Sequence, residues 1–475
     1  MIPFPPPDPR PLGPLLAELR SARGWSQQRV AAALCAASGV PTLTRHEVSR
    51  WERQRRLPGD FWLGWLAVVL GAPGELLTEA AAHSRRLGAV PAAIDRVGSR
   101  ARVALLTLAH RWSADPSGAA LGGPLTGRAL AGPAADGPGG DGPGGDGPGG
   151  DGPGGDGPAT EDLAELRRWD DLLGGGDLAG HGARRLRRAA RSYRAAGPAA
   201  RRRLLPGLAE SAQLAGWLAA DAGEVTGGLD AYRLALRAAV AAGDPALAGH
   251  VLGSASHLLA GVGDPLGALA LARSGYAGSR RAASPGLRAL LLHRVAFAAA
   301  LAGRSRAASQ ALAAAADTGG PEPGREPPWL YWLDRTELAA MTGRTLVALG
   351  RPGPAGPLLG PVARGRGRPR RAAVYGGWLA RGQLQLGEVE AACAVAGAAL
   401  LDAVRSGSPR AVGQLTEVRR RLAWHPDEPA ARRYADLLAA ARPYLPRRAG
   451  SGPGTAGARP PRATPRTPRR PGGTT

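Results

Sequence analysis

The sequence predicts an all-α protein in three parts: a small N-terminal bundle of short helices, a flexible Gly/Pro/Asp linker and a C-terminal α-solenoid. Apolar residues recur at helical spacing in both ordered regions. Four consecutive DGPGG units fill Asp136–Gly155 between them. In the C-terminal region an apolar residue followed by glycine recurs at Gly223, Gly263, Gly303, Gly350 and Gly387, at spacings of 40, 40, 47 and 37.

The N-terminal part, residues 10–73, holds the most informative stretch. Ser26 can cap a helix on which Val30, Ala31 and Leu34 fall on one face, with Gln27 and Gln28 exposed in its first turn. A second helix opens at Thr44. Val48 and Trp51 lie three apart on its inner face, which leaves Arg45, His46, Ser49, Arg50 and Arg53 to point outward. A polar-capped helix leading through a turn into a short Arg-bearing helix has the layout of a helix-turn-helix DNA reader.

Leu19, Arg20, Arg23, Gly24, Ser26, Gln27, Val30 and Ala31, followed by Val48, Ser49, Arg50, Trp51, Glu52, Arg55 and Pro58, resemble the pattern of the XRE (Cro/repressor-like) family. The resemblance implies a phosphate contact at Gln27 and base-reading positions at Thr44, Arg45, His46 and Glu47. It also implies a structural pair between Arg20 and Glu52. The outward face adds Ser49 and Arg50 near base edges, and Ser26, Gln28, Arg53, Arg55 and Arg56 near the DNA backbone. Two departures are visible. Cys35 to Leu43 is longer than the family's usual turn, which predicts a longer helix or a looser turn, and Gln54 replaces a frequent glycine, which displaces the end of the second helix toward Pro58.

The chain has 475 residues and a formal charge of +23, with 61 basic residues, all of them arginine. With the Ala, Gly and Pro excess, this points to a GC-rich coding bias as one source of basicity, and it still favours polyanionic partners. The size allows two or three domains with a real core. Cys35 and Cys393 are far apart in Ala-rich contexts, which favours buried small side chains in a reducing compartment. Without a signal-like apolar core at the start, and with Phe61 to Pro73 as the longest apolar run, the expectation is a cytoplasmic protein with no membrane contact.

Residues 75–112 form the connecting amphipathic helices. Ile94, Val97, Ala101, Ala104, Leu105 and Leu108 make an apolar stripe expected to pack on the reader, with a homodimer seam as the alternative. Residues 113–160 are a disordered linker, since Pro and Gly at this density hold neither helix nor strand. Its aspartates lack the apolar residue of known calcium-binding repeats, so no metal is expected.

Residues 163–445 carry the repeat. Each recurring glycine reads as a helix stop before a second amphipathic helix, and helix pairs at this spacing stack into a solenoid, with Leu, Trp and Tyr of the first helices filling the interior. The region resembles an extended tetratricopeptide-repeat (TPR) array. Joined to an XRE reader it is similar to a class of actinobacterial transcriptional regulators, with Glu210, Gln213, Gly216, Trp217, Asp221, Gly223 and PWLYWLD as the residues that carry the likeness. The resemblance implies ligand sensing, oligomerisation or a peptide or protein partner. Trp329, Tyr331, Trp332, Asp334 and Arg335 form the densest aromatic and charged cluster. It reads as a ligand pocket or, the favoured alternative, as packing of Trp332, Leu333 and Thr336 between repeats.

Arg364 to Arg371, RGRGRPRR, resembles an AT-hook core, with a solvated basic loop as the favoured alternative. The tail, residues 446–475, is rich in Arg and Pro and expected to be disordered. No catalytic triad, phosphate loop or metal spacing is present, and His181, His250, His257 and His293 stand singly on helices, so no enzyme activity or cofactor is expected. The functional expectation is a sequence-specific regulator of double-stranded DNA. The alternative is a TPR-type scaffold with only non-specific DNA affinity.

Overall fold

A computed structural model describes residues 12–53, 56–74, 76–78, 80–81, 84, 96–117, 125, 163–365 and 367–446. The elements assigned among them are helices, with no strand. The DGPGG repeats, Ile94, Gln54, Arg55 and the Arg-rich tail beyond residue 446 lie outside the described residues.

The N-terminal unit packs α1 (Leu12–Ala22), α2 (Gln27–Ser38), α3 (Arg45–Glu52) and α4 (Asp60–Leu70) around Leu16, Val30, Leu34, Val48, Trp51 and Leu66. Ser26 caps α2, its Oγ accepting from the Arg29 N–H at 3.2 Å. Gly39, at φ 72°, ends α2 in the left-handed conformation that lacks a Cβ penalty. The residues between Cys35 and Leu43 therefore go first into another turn of α2 and then into the connecting turn. The second departure resolves differently from expectation. Helix α3 stops at Glu52, with the Arg53 N–H donating to the Ser49 carbonyl at 3.1 Å, well short of Pro58.

The stripe on α5 (Arg96–Ala114) corrects another expectation. It packs on the C-terminal array, not on the N-terminal unit. Ala101, Leu105, Ala109 and Trp112 join the core of that array. Helix α5 lies against α9 (Val225–Ala241) and α11 (Pro265–Ser279). Trp112 covers Gly278 so closely that a Cβ there would fall 2.5 Å from its ring, and Arg102 ion-pairs with buried Asp264. Leu125, from the expected linker, is also buried in this core. A helix with several large apolar residues finds more unpaired surface on an open solenoid flank than on a small, already complete bundle.

The array is a series of consecutive packed helices. It begins with α6 (Leu163–Leu172) and α7 (Gly175–Ala195), followed by α8 (Pro198–Ala222) against α9, and α10 (Pro245–Gly261) against α11. Next come α12 (Pro285–Leu301) with α13 (Ser305–Ala316), α14 (Arg335–Ala348) with α15 (Ala355–Ala363), and α16 (Pro369–Gln385) with α17 (Val389–Ser406). It closes with α18 (Pro409–Leu422) and α19 (Pro429–Ala441). All five recurring glycines have positive φ, from 70° to 87°, which only glycine adopts freely. Asp244, Asp264, Ser284, Asp334 and Ser408 cap the helices that follow them. Gly216 of α8 lies under the Tyr232 ring, where a Cβ would come within 2.8 Å.

The array does not stay an open arc. Helix α6 meets α16, and α8 meets α18. Asp221, at the end of α8, accepts from the Gly175 N–H at 2.7 Å and from the Ser408 hydroxyl at 2.9 Å. Chain segments nearly two hundred residues apart are thereby joined, and the inner faces of the first helices line a partly open cavity. No helix among the described residues is long and apolar enough to cross a membrane.

Candidate functional site

Two places gather functional side chains. The first is the outer face of α3. Thr44 precedes it in extended conformation and makes no side-chain cap bond. Arg45 and His46, on its first turn, are exposed, as are Arg50, Arg53 and Arg56. Ser49 is half-buried. Glu47 holds Arg50 at 2.6 Å and lies 3.9 Å from Arg56, so both cations start in contact with a carboxylate that a polyanion would have to displace. Behind this face, Arg20 donates to Glu52 through Nε at 2.6 Å and Nη2 at 3.2 Å, while Gln27 Nε2 donates to the same carboxylate at 2.7 Å. One carboxylate thus joins α1, α2 and α3, and the paired guanidinium geometry fixes their angle. Gln27 is engaged in this network, Gln28 is exposed and Ser26 is occupied as the cap of α2.

The second place is the cavity of the array, about 120 Å³ in volume. A water needs roughly 10–15 Å³ of such space, so there is room for several waters or one compact ligand. The first helices of successive pairs line it in order: Gln213 and Trp217 on α8, His250, Ser254 and His257 on α10, Arg294 on α12, Met341 and Arg344 on α14, Tyr375 on α16, and Arg410 on α18. Polar and charged side chains thus stand in the cavity among the aromatic and apolar ones, where filling by Leu, Trp and Tyr was expected.

Most of its charges are paired. Arg370 grips Asp170, its Nη2 donating to Oδ2 at 2.8 Å, and Asp170 also accepts from Trp217 Nε1 at 3.0 Å. Arg410 lies 3.0 Å from Asp221 and 4.7 Å over the Trp217 ring. Burial would raise the Asp221 carboxyl, but Arg410 and Arg370 outweigh it and hold the group below its usual range. Arg167 pairs with Glu210 at 2.6 Å, Arg368 lies 3.6 Å from Asp171, and Arg371 contacts both Asp334 and Glu337. Tyr375 donates to Glu337, and burial together with that carboxylate pushes the phenol up.

Arg294 and Arg344 are different. They are 4 % and 2 % exposed, and among the described residues Nε and Nη1 of Arg294 and Nε and Nη2 of Arg344 find no hydrogen-bond partner. Arg344 lies 4.4 Å over the Phe297 ring. Burial and the neighbouring Arg344 lower Arg294 to about 9, which still leaves it charged at neutral pH. Burial, then Arg294 and Arg167, lowers His250 to about 3, and His257 is driven well below its ordinary value, so both imidazoles are neutral. His250 stacks on Trp329 at 4.4 Å and His257 on Trp217 at 5.8 Å. His293, behind Arg294, is likewise lowered to about 3 by burial and by Arg344.

Of the aromatic cluster singled out in the sequence, Trp329, Tyr331 and Trp332 line the cavity, with the Tyr331 hydroxyl donating to the Arg167 carbonyl at 2.6 Å. Asp334 caps α14, accepting from the Glu337 N–H at 2.6 Å, and Arg335 is exposed outside the lining. Leu333 packs in the core, while Thr336 is exposed. The AT-hook reading is corrected in the same place. Arg370 and Arg371 stand in the first turn of α16, the former buried and both ion-paired, and Arg368 lies 3.6 Å from Asp171, so these three are turned toward the array, while Arg366 of the Arg-Gly-Arg-Pro core lies outside the described residues. Of the four histidines set aside as single residues, His250 and His257 are cavity walls, as is Arg294, which the sequence did not single out. A periodic signal was present, since Leu214, Ser254 and Arg294 are one repeat period apart and equivalent in the stack.

Comparison with known proteins finds no matching family, curated protein or solved structure. Among the described residues no three His, Cys, Asp or Glu side chains gather as a metal site.

Proposed function

We propose that the chain is a sequence-specific regulator of double-stranded DNA, with an XRE-type helix-turn-helix reader at residues 10–73 and a TPR-like array that holds an effector site. The observation that carries this reading is the orientation of α3. Val48 and Trp51 are sealed in the core at 2 % exposure while Arg45, His46 and Arg50 face solvent from one short, well-anchored helix. A groove reader needs that combination of a rigid inner face and outward donors, of which Arg50 must first exchange Glu47 for its target, because guanidinium groups read guanine edges in pairs of hydrogen bonds. Thr44, Arg45, His46, Glu47, Ser49 and Arg50 would approach base edges. Gln28, Arg53 and Arg56 would approach phosphates. Arg20, Glu52 and Gln27 would hold the helices at the reading angle.

Selection of genomic fragments by the purified full-length chain at near-physiological salt tests this, with the Arg45→Ala, Arg50→Ala double variant beside it. A sequence motif recovered only by the unaltered chain is the expected result. Arg45→Ala alone is expected to cost about 1–3 kcal/mol at one base pair while leaving the fold intact. Equal, motif-free recovery by both chains overturns the reader and leaves generic attraction of a +23 chain for polyanions.

A further inference from the structure

We propose that the array cavity seats a compact aromatic carboxylate, its anionic group between Arg294 and Arg344 and its ring beside the stacked Trp217–His257 and Trp329–His250 pairs. The proposal deepens the effector reading above and rests on it only for the consequence of binding, not for binding itself.

Three observations converge. The first is uncompensated charge. Arg294 and Arg344 are almost wholly buried, repel one another, and among the described residues have no carboxylate within ion-pair distance, Glu337 acting on Arg294 only from farther away, whereas the cavity's other arginines are paired with aspartate or glutamate. A buried guanidinium without an anion is expensive, and one oxyanion accepting from both forks would relieve the repulsion and the orphaned N–H groups together. The second is the state of the histidines. Being neutral, His250 and His257 add no charge to compete for the anion, and each has an Nδ1 without a hydrogen-bond partner. A neutral imidazole offers one donor and one acceptor, which suits a ring hydroxyl. The third is shape. The space of about 120 Å³ exceeds what a single inorganic ion fills, and because it is partly open a ring can extend toward its mouth while the anionic group sits at depth. Its walls include the indoles of Trp217 and Trp329, flat faces against which an aromatic ring packs by offset or edge contact.

The probes are benzoate and 4-hydroxybenzoate, with benzyl alcohol as ring without charge, inorganic phosphate as charge without ring, and phenyl phosphate as the alternative oxyanion. Each is titrated into the full-length chain by calorimetry, with ligand-observed NMR and thermal melting in parallel. Either carboxylate is expected to bind in the micromolar to low millimolar range and raise the melting temperature, at least tenfold more tightly than benzyl alcohol or inorganic phosphate. Arg294→Gln and Arg344→Gln are each expected to weaken binding at least tenfold. Removing an unpaired buried charge should leave the ligand-free melting temperature equal or higher. That second readout separates loss of a ligand contact from loss of fold, and a variant that melts lower without ligand overturns the claim that these cations are uncompensated. Equal binding of benzyl alcohol overturns the anionic group, equal binding of inorganic phosphate overturns the ring, preference for phenyl phosphate overturns the carboxylate, and no binding by any probe overturns the site. Binding of the carboxylate with unchanged DNA affinity would leave the ligand assignment standing and overturn the effector reading.

Discussion

The N-terminal unit keeps its described arginines at or near the surface, whereas the array, besides exposed arginines, also takes some of them inside. Around α1 to α4, Arg23, Arg29, Arg45, Arg50, Arg53 and Arg56 are exposed and Arg20 is half-buried, over a core of leucine, valine, alanine and tryptophan. In the array, Arg167, Arg294, Arg344, Arg370 and Arg381 are buried, together with Asp170, Asp221, Glu337, His250 and His293. A coding bias toward arginine enriches both regions equally, so composition cannot account for this difference. Placing charge inside a helical array has a large desolvation cost unless it is paired, and replacing such pairs with apolar residues is often stabilising. The buried set is therefore better understood as a device for holding a chamber open and polar, while the surface set offers charge to a partner that arrives from solvent.

The comparison breaks most readily at Asp221, which holds the two ends of the array together while neutralising Arg410 and Arg370. Asp221→Ala leaves two buried cations short of an anion and frees the Gly175 N–H and the Ser408 hydroxyl. The expected loss is roughly 3–5 kcal/mol. Amide hydrogen exchange on the full chain should show it in α7, α8 and α18, with α1 to α4 unchanged. Equal loss of protection in both regions, or none in either, would mean that the ends of the array are not held by this carboxylate.

Acid should separate the regions next. His250 and His293 sit near 3 in the folded chain against 6.5 when unfolded, so between those values the unfolded chain binds more protons. The stability they contribute is complete above about pH 6.5 and falls as pH drops toward 3, at 1.36 kcal/mol per pH unit for each group. At pH 5 each should have lost about 2 kcal/mol. His257 adds to the same direction. The described part of the N-terminal unit carries only His46, which is exposed, so its unfolding should move little over this interval. Urea titrations at pH 7 and pH 5, read separately in the two regions by hydrogen exchange, would show parallel shifts if the histidines were not responsible.

The same contrast explains what could be read from the sequence. Helix periodicity, the glycine stops at Gly223, Gly263, Gly303, Gly350 and Gly387, and the cap at Ser26 are local signals, each settled within a few residues of itself. The outward Arg45 and the inward Val48 and Trp51 follow from one helical turn. The cavity is not local. Asp170 meets Arg370 across two hundred positions, and Tyr331 reaches the Arg167 carbonyl across a similar distance. Pro369 in RGRGRPRR is a helix-start signal that separates the loop arginines from the two that enter α16, but which carboxylates the curvature of the stack brings opposite those two is not written locally. The α5 stripe shows the limit from another side. Its amphipathicity was plain, but an apolar face does not name its cover, and the nearer unit in sequence proved to be the wrong one.

The smallest effect sharpens the comparison at Ser26, where a structural role and a surface role compete for one oxygen. Its Oγ accepts from the Arg29 N–H at the start of α2, beside the face that carries Gln28. Ser26→Ala removes the cap and should cost about 1 kcal/mol in the N-terminal unit alone. Ser26→Asp keeps an acceptor there and suits the positive end of the helix, so stability should be retained. DNA affinity then decides the second role. A carboxylate at a position that touches phosphate would repel it, so the Asp variant would bind DNA more weakly than the Ala variant despite being more stable. If the cap is the only role, affinity should follow stability, with Asp equal to the unaltered chain and Ala slightly weaker. Because the Ser26 hydroxyl bonds within α2 and to none of the array's buried charges, neither substitution should alter the pH dependence of the array, and a shift there would show that the two regions unfold as one.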